Sequence, residues 1–326
     1  MKKYFFTFII LLGIMQGCKD DLEPPTTGQI ITMIVSEPRV GSWTVELELF
    51  GTGEAIVYWG DGTNEKITMS NGIAHRAEPG SYWINVFNYC QHHYLGDYPG
   101  SSTYSPTRKI TITGNVTYLN CGGNRVTSLD ASKNPALETL CCYGIGSNGL
   151  TSLNISKNFE LAWLDVSENL LTTLYLSNNT KLNVLNCEDN LLTNLDVSNN
   201  PALEWLSCAR NQLLSLNVGN NPKLEELYCF RNELTSLNVK NSHRLKELYA
   251  YNNQLTSDAM NALFESLHSN KIEEGKEYVY QIGNTPIGIS LISGSDTKSI
   301  YVNGNPGANG CDPSIATNKG WRVSAY

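Results

Sequence analysis

The chain has 326 residues and a formal net charge of −8, from 31 acidic against 23 basic residues. Such a surface gives no electrostatic help toward a polyanion, so nucleic acid is excluded as the expected partner. Charged residues make up only 17%. Gly, Asn and Ser are abundant.

The first segment reads Met1-Lys2-Lys3, an apolar run from Tyr4 to Met15, then Gln16-Gly17-Cys18. A charged start, a short apolar core and a small residue before the cut make a signal peptide over 1–17. The core is short for a membrane-spanning helix. Gly17-Cys18 resembles a lipobox, which implies that Cys18 is lipidated and begins the mature chain; the alternative is an ordinary signal peptide with Cys18 incidental. Lys19-Asp20-Asp21 resembles the lysine-acidic-acidic signal of Gram-negative lipoproteins on the outer face of the outer membrane; otherwise it is a solvated tether. The resemblance implies a surface-exposed outer membrane lipoprotein, held by two or more acyl chains. Losing Lys2 and Lys3 but no acid takes the charge from −8 to −10.

Residues 18–29, with Pro24-Pro25-Thr26-Thr27-Gly28, read as a tether. From Ile30 the pattern changes. Trp43, Val45, Leu47 and Leu49 alternate with Thr44, Glu46 and Glu48, as in a half-buried strand. Ala55–Trp59 reads as another, ending in Trp59-Gly60-Asp61-Gly62, where Asp-Gly favours a hairpin. Tyr82, Ile84 and Val86, then Ile110 and Ile112, add strands. Short strands between Gly and Pro turns predict a small β-sandwich over 30–114. Trp59-Gly60-Asp61-Gly62 and His75…Gly80-Ser81-Tyr82-Trp83-Ile84 resemble the PKD-type immunoglobulin-like module, which implies a spacer or weak binder. Cys90-Gln91-His92-His93 gathers three possible metal ligands without a fourth, so an exposed hairpin loop continuing to Pro106 is expected rather than a metal site.

Residues 115–257 carry a repeat. Leu161, Leu182, Leu203, Leu224 and Leu245 fall 21 residues apart and open the same phrase, as in LNVLNCEDNLLTNLDVSNNPA. Two further copies start at Val116 and Leu137, making about seven rungs. L-x-x-L-x-[LC]-x-x-N-x-L at this period is the leucine-rich repeat signature. Leu185, Cys187, Leu192, Leu195 and Val197 can point into one narrow coil that only stacked neighbours bury. Asn124, Asn169, Asn190, Asn211, Asn232 and Asn253 form a column, read as structural because a buried Asn satisfies backbone groups at a chain reversal. Cys121, Cys142, Cys187, Cys208 and Cys229 form another, with Val166 and Ala250 in the remaining rungs. In-register strands hold side chains parallel at about 4.8 Å, too far for disulfides, so these thiols are expected reduced, buried and inert. Of nine Cys, only Cys90, Cys141 and Cys311 remain beside Cys18, which excludes an even-count disulfide framework.

This 21-residue repeat with a cysteine ladder, and the phrase N-x-L-T-x-L-D-V-S-x-N-P, resembles the internalin class of bacterial surface leucine-rich repeat proteins. The resemblance implies a curved, non-enzymatic recognition module.

Leu137 to Leu161 holds three surplus residues, within Tyr143 to Gly149. Gly144, Gly146 and Gly149 form a G-x-G-x-x-G, but Leu150-Thr151-Ser152-Leu153 resumes the repeat where a dinucleotide site needs a helix. A bulge is expected. Residues 258–326 read as a C-terminal α/β cap. Ser257 or Asp258 would N-cap a helix burying Met260, Leu263, Phe264 and Leu267. Residues 268–297 are poorly periodic. Ile300 to Pro306 adds a strand with its Asn turn, Asp312-Pro313 starts a helix and Gly320 stops it.

The fold expected is therefore mostly β: a small sandwich, a leucine-rich repeat solenoid and a cap. Within each rung, positions two, four, six and seven after the opening Leu should face outward. They place Trp163, Asp165, Glu188, Trp205, Arg210, Tyr228, Phe230, Arg231, Tyr249 and Tyr251 on one strand face. Exposed rings beside Arg are the composition of binding hot spots, and Trp and Tyr also stack on sugars. The alternative is that the rings pack on each other along the ladder. The expectation is a monomeric binding protein, without cofactor or metal, that takes a host or neighbouring-cell protein or glycan. A surface scaffold without a dedicated ligand is the alternative. An enzyme is the remote one, since no H-E-x-x-H or G-x-S-x-G occurs and the five His are scattered.

Overall fold

The computed structural model describes residues 28–36, 41–59, 64–69, 90–98, 107–144, 149–270, 280–282, 285–287 and 298–324. The expected signal peptide, Cys18 and most of the expected tether lie outside these, as do Gly60–Gly62, His75 and Gly80–Ile84. Among the described residues no helix is long and apolar enough to cross a membrane.

The protein is a mostly β, leucine-rich repeat solenoid. Its rungs place β7 (Thr139–Cys141), β9 (Trp163–Asp165), β10 (Val184–Asn186), β11 (Trp205–Ser207), β12 (Glu226–Tyr228) and β13 (Glu247–Tyr249) side by side, parallel and in register. Each strand is three residues long because the chain must turn back to wind the next coil. The central residue of each strand points inward: Leu140, Leu164, Leu185, Leu206, Leu227 and Leu248 are fully buried. The expected thiol column is there too. Cys121, Cys142, Cys187, Cys208 and Cys229 are buried and free, in line with Val166 and Ala250. Burial pushes the Cys208 thiol up to about 12, so no nucleophilic thiolate forms at neutral pH.

The Asn column satisfies the backbone as its chemistry requires. Asn190 Oδ1 accepts from Leu171 N at 3.0 Å, while its Nδ2 donates to the carbonyls of Val166, Cys187 and Glu188. Asn305 repeats the arrangement in the cap, accepting from Leu255 N at 3.0 Å. A second Asn ladder, not expected from the sequence, runs along another column of the coil. Asn158, Asn179, Asn200 and Asn221 are fully buried, and each donates to two carbonyls of the preceding rung. The signal is an Asn recurring every 21 residues, followed by Pro at Asn200 and Asn221.

The amino-terminal strands do not stand apart from the repeats. They are β1 (Ile30–Ser36), β2 (Gly41–Tyr58), β3 (Asn64–Met69), β4 (Cys90–Tyr98), β5 (Thr107–Asn120) and β6 (Val126–Lys133). β5 pairs with β1 and β2 along its length, and its last three residues also pair with β7. β6 pairs with β1 on one side and with the short β8 (Leu153–Asn154) on the other. Sheet and hydrophobic core therefore run unbroken from Ile31 to Trp321. The boundary expected at 114 and 115 falls inside β5 and is no linker. The two strands read from Trp43 to Leu49 and from Ala55 to Trp59 are one long β2, with Val45, Leu47, Leu49, Ala55 and Val57 buried. Cys90–His93 is not a loop: β4 begins there and pairs with β2.

After β13 comes α1 (Ser257–Ser266), whose N-cap is Thr256 rather than the expected Ser257 or Asp258; its side chain accepts from Ala259 N at 3.2 Å. Met260, Leu263 and Phe264 are buried in the common core. β14 (Tyr280–Ile282) and β15 (Thr285–Ile287) form a separate hairpin. β16 (Lys298–Tyr301), where the sequence predicts a strand from Ile300, joins β13 in register. After α2 (Ser314–Thr317), beyond the helix stop expected at Gly320, β17 (Trp321–Ser324) adds one more parallel strand that the sequence does not announce. α1 has no basic residue in its last turn; Lys319 supplies the cation there, donating to Phe264 O and Glu265 O.

Candidate interaction face

In-register stacking turns each position of a rung into a column. The column two residues after the opening Leu holds Tyr118, Thr139, Trp163, Val184, Trp205, Glu226, Glu247 and Ser299. It is far less open than expected. Trp163 is 5% exposed and so is withdrawn from the solvent face. The register sets Thr139 and Val184, both buried, against its two sides. Trp205 keeps partial exposure.

Glu226 is also 5% exposed, an unusual place for a carboxylate. Its Oε2 accepts from Tyr228 Oη at 2.8 Å, and Glu247 repeats the bond one rung on, from Tyr249 Oη at 2.9 Å. Burial raises the Glu226 carboxyl above its ordinary value; the Tyr228 hydroxyl opposes this, and the like charge of Glu247 adds to it. The neighbouring Glu225 is satisfied differently, by Lys246 Nζ at 2.7 Å and by Arg244.

The fourth-position column changes character along the solenoid. In the early rungs it builds turns. Asn120 accepts from Gly122 N, Asp165 from Ser167 N and Oγ, and Asn186 from Glu188 N. Asp165 is thereby committed to its own rung. From β12 onward the column is aromatic. Tyr228, Tyr249 and Tyr301 stack at 4.6 and 4.4 Å between centroids, and Trp205 leans on Tyr228 at 5.4 Å. Phe230 and Tyr251, in the sixth-position column, stack at 4.5 Å. The rings do pack on each other along the ladder, so Tyr228 and Tyr249 present edges rather than broad faces. A sugar ring needs a broad face.

The seventh-position column has a backbone peculiarity. Gly123, Glu168, Asp189, Arg210, Arg231, Asn252 and Gly304 all adopt positive φ, between 52° and 78°. From Gly123 to Asn252 each donates its amide to the next rung, for example Arg231 N to Tyr251 O at 3.0 Å. Glycine meets that need without strain, and Gly123 and Gly304 do so at the two ends. In Glu168, Arg210 and Arg231 the left-handed conformation costs about 1–2 kcal/mol each. Arg210 bridges to Glu188 at 3.5 Å and Asp189 at 3.3 Å. Ser207 Oγ donates to the other oxygen of Glu188 at 3.2 Å. Arg231 and Glu168 make no ion pair among the described residues and are exposed. Gly144 and Gly149 serve close packing instead. A Cβ at Gly144 would lie 1.8 Å from Glu168 O, and one at Gly149 would lie 2.8 Å from Asn169 Oδ1.

The structure therefore brings together Glu188, Trp205, Arg210, Tyr228, Phe230, Arg231, Tyr249 and Tyr251 on one side of the coil. It turns Trp163 away and binds Asp165 into a turn. The charged left-handed column was missed as a backbone feature, because only geometry shows that this position needs positive φ.

No protein-family model matches the sequence, and no curated protein matches it. Among solved structures, the chain is similar to the functional domain of InlJ from Listeria monocytogenes, which includes a cysteine ladder. The identity is 29% over 62% of this chain and 47% of that one, with a TM-score of 0.44. A leucine-rich repeat protein of Leptospira interrogans matches at 21% identity, over 59% of this chain and 50% of that one, TM-score 0.40. Internalin C2 of Listeria monocytogenes matches at 20% identity, over 43% of this chain and 74% of that one, TM-score 0.36. The chain spans about half the length of the first two structures.

Proposed function

We propose that this is a cell-surface binding protein, anchored through a lipid on Cys18, whose strand face takes a protein partner. One observation carries the reading. Glu168, Arg210 and Arg231 keep large charged side chains where the backbone favours Gly. Strain retained beside an open face is a reason to look for a contact there. A protein partner is favoured over a glycan because the stacked rings of Tyr228 and Tyr249 offer edges, with charge beside them. That mixture of aromatic rim and Arg suits a protein hot spot.

The test is to probe protein and glycan arrays with the soluble chain that starts after Cys18, then repeat with Glu168→Gly/Arg231→Gly. Glycine relieves strain at both sites, so the double variant stays folded. The reading predicts a protein signal that weakens at least about tenfold in the variant, the scale of one hot-spot residue. Unchanged binding would remove this face from the function. A glycan-only signal would replace the partner class. The rings' mutual stacking favours a second reading, a scaffold with no dedicated ligand, which predicts no array signal at all.

A further inference from the structure

The end of the solenoid is tied by a cluster that recognition does not use. Lys298, at the start of β16, is 5% exposed, and its Nζ donates to three carbonyls: His268 at 3.2 Å, Asn270 at 3.0 Å and Lys319 at 2.7 Å. Trp321 of β17 donates from Nε1 to the same His268 carbonyl at 2.8 Å. The chain departs at Asn270 and returns at Lys298, so this cluster holds both ends of the intervening stretch against the last rungs.

The His268 ring can satisfy its neighbours in one state only. Nε2 lies 2.8 Å from Leu245 O, which can only accept, so Nε2 carries the hydrogen. Nδ1 takes the Asn270 amide at 3.2 Å, so it must be bare. The Asn270 contact requires the neutral imidazole, whereas the bond to Leu245 O survives protonation. A second proton would displace the Asn270 amide and set a cation beside the Lys298 ammonium. The other titratable group acting on the ring is His243, from the turn before β13, and it too is basic. From the helical side, Lys319 is directed at the end of α1 and pairs with Glu265 at 3.9 Å. The Trp321 ring meets His268 edge-on at 5.5 Å.

We propose that His268 is an acid-sensitive clasp: its protonation loosens the junction of residues 268–270 with β16 and β17 while the rungs remain folded. Burial holds the imidazole below its ordinary value; the bond to Leu245 O opposes this, and the charges on Lys298 and His243 reinforce it. An imidazole lowered on folding stabilises fully above its unfolded value of about 6.5. That stability is lost as the pH falls from there toward the folded midpoint. Each unit between the two midpoints is about a tenfold change in opening.

Hydrogen exchange on the whole mature chain at pH 7.5 and 5.0, corrected for intrinsic rates, reads this directly. Amides in 268–270, 298–301 and 321–324 should lose protection severalfold at pH 5.0, while those in 203–249 keep theirs. His268→Gln, which cannot titrate, should abolish the difference. The same loss in His268→Gln, or a loss shared by the rungs, overturns the proposal. Should that variant misfold, the imidazole resonance of the wild-type protein decides. A midpoint below about 6.5 with the Asn270 amide moving in step supports the clasp, and one at or above that value overturns it.

Discussion

Asn190→Ala tests the logic of the inner ladder. The side chain makes four hydrogen bonds, one accepted from Leu171 N and three donated to carbonyls. The carbonyls are not orphaned by its loss. Val166 O still receives Asn169 Nδ2, Cys187 O receives Asn211 Nδ2, and Glu188 O receives Glu168 N. Leu171 N has no other partner among the described residues, and Leu171 is fully buried. One buried amide left unsatisfied costs about 1–3 kcal/mol, and the lost bonds to carbonyls add about 1 kcal/mol net. The expected destabilisation is about 2–4 kcal/mol. Denaturant unfolding reads it as a lower midpoint at unchanged slope. Asn190→Asp should not rescue, since it keeps the acceptor but points a charge at three carbonyls. Asn199→Ala, an exposed Asn nine residues on, should change stability by less than about 0.5 kcal/mol. Equal effects at 190 and 199 would refute the claim that backbone satisfaction, rather than turn propensity, fixes the Asn column.

Arg231→Gly should raise stability by about 0.5 kcal/mol in thermal unfolding, strain relief of about 1–2 less a glycine entropy cost of about 0.5–1. Phe264→Ala should cost about 3–5 kcal/mol, because the ring is fully buried against the last coil; a smaller loss in denaturant titration would mean α1 is not a true cap. Glu226→Gln should raise the denaturation midpoint at pH 7 and not at pH 4. An acid raised on folding stabilises only below its unfolded value of about 4.3, and that contribution is lost as the pH rises through the folded midpoint. Alkylation of the native protein with iodoacetamide, read by mass spectrometry, should modify the half-buried Cys141 well before Cys187, Cys208 or Cys229.

The rungs were legible because a solenoid is local. Each coil repeats its neighbour, so Leu185 and Leu206, Cys187 and Cys208, Asn190 and Asn211 are the same structural position written again. Chemistry that depends on one position alone, such as thiol burial or an Asn at a reversal, transfers along the column. Other features were hidden because they depend on pairs. Nothing in Trp163 itself says that Thr139 and Val184 will shut it in while Trp205 stays partly open. The stacking that removes the broad faces of Tyr228 and Tyr249 follows from register, not composition. The amino-terminal strands were hardest, since β2 and β5 meet across some sixty residues with no period to announce the pairing. The clasp at His268 joins the segment after α1 to β16 and β17, a meeting that no local motif marks.

The sharing of β5 has a mechanical corollary. Its three terminal residues are held from one flank by β2 and from the other by β7, so no joint exists at which the front of the molecule could swivel against the rungs. A tug applied near Gly28 and resisted at the ring-bearing coils would load the ladder bonds of β5 along the strand, many at once. Attachment through the amino end would therefore fix how the coil is aimed as well as where it is held. Trimming the chain at residue 114 would not free a ready-made repeat unit; it would tear one wall from a common core.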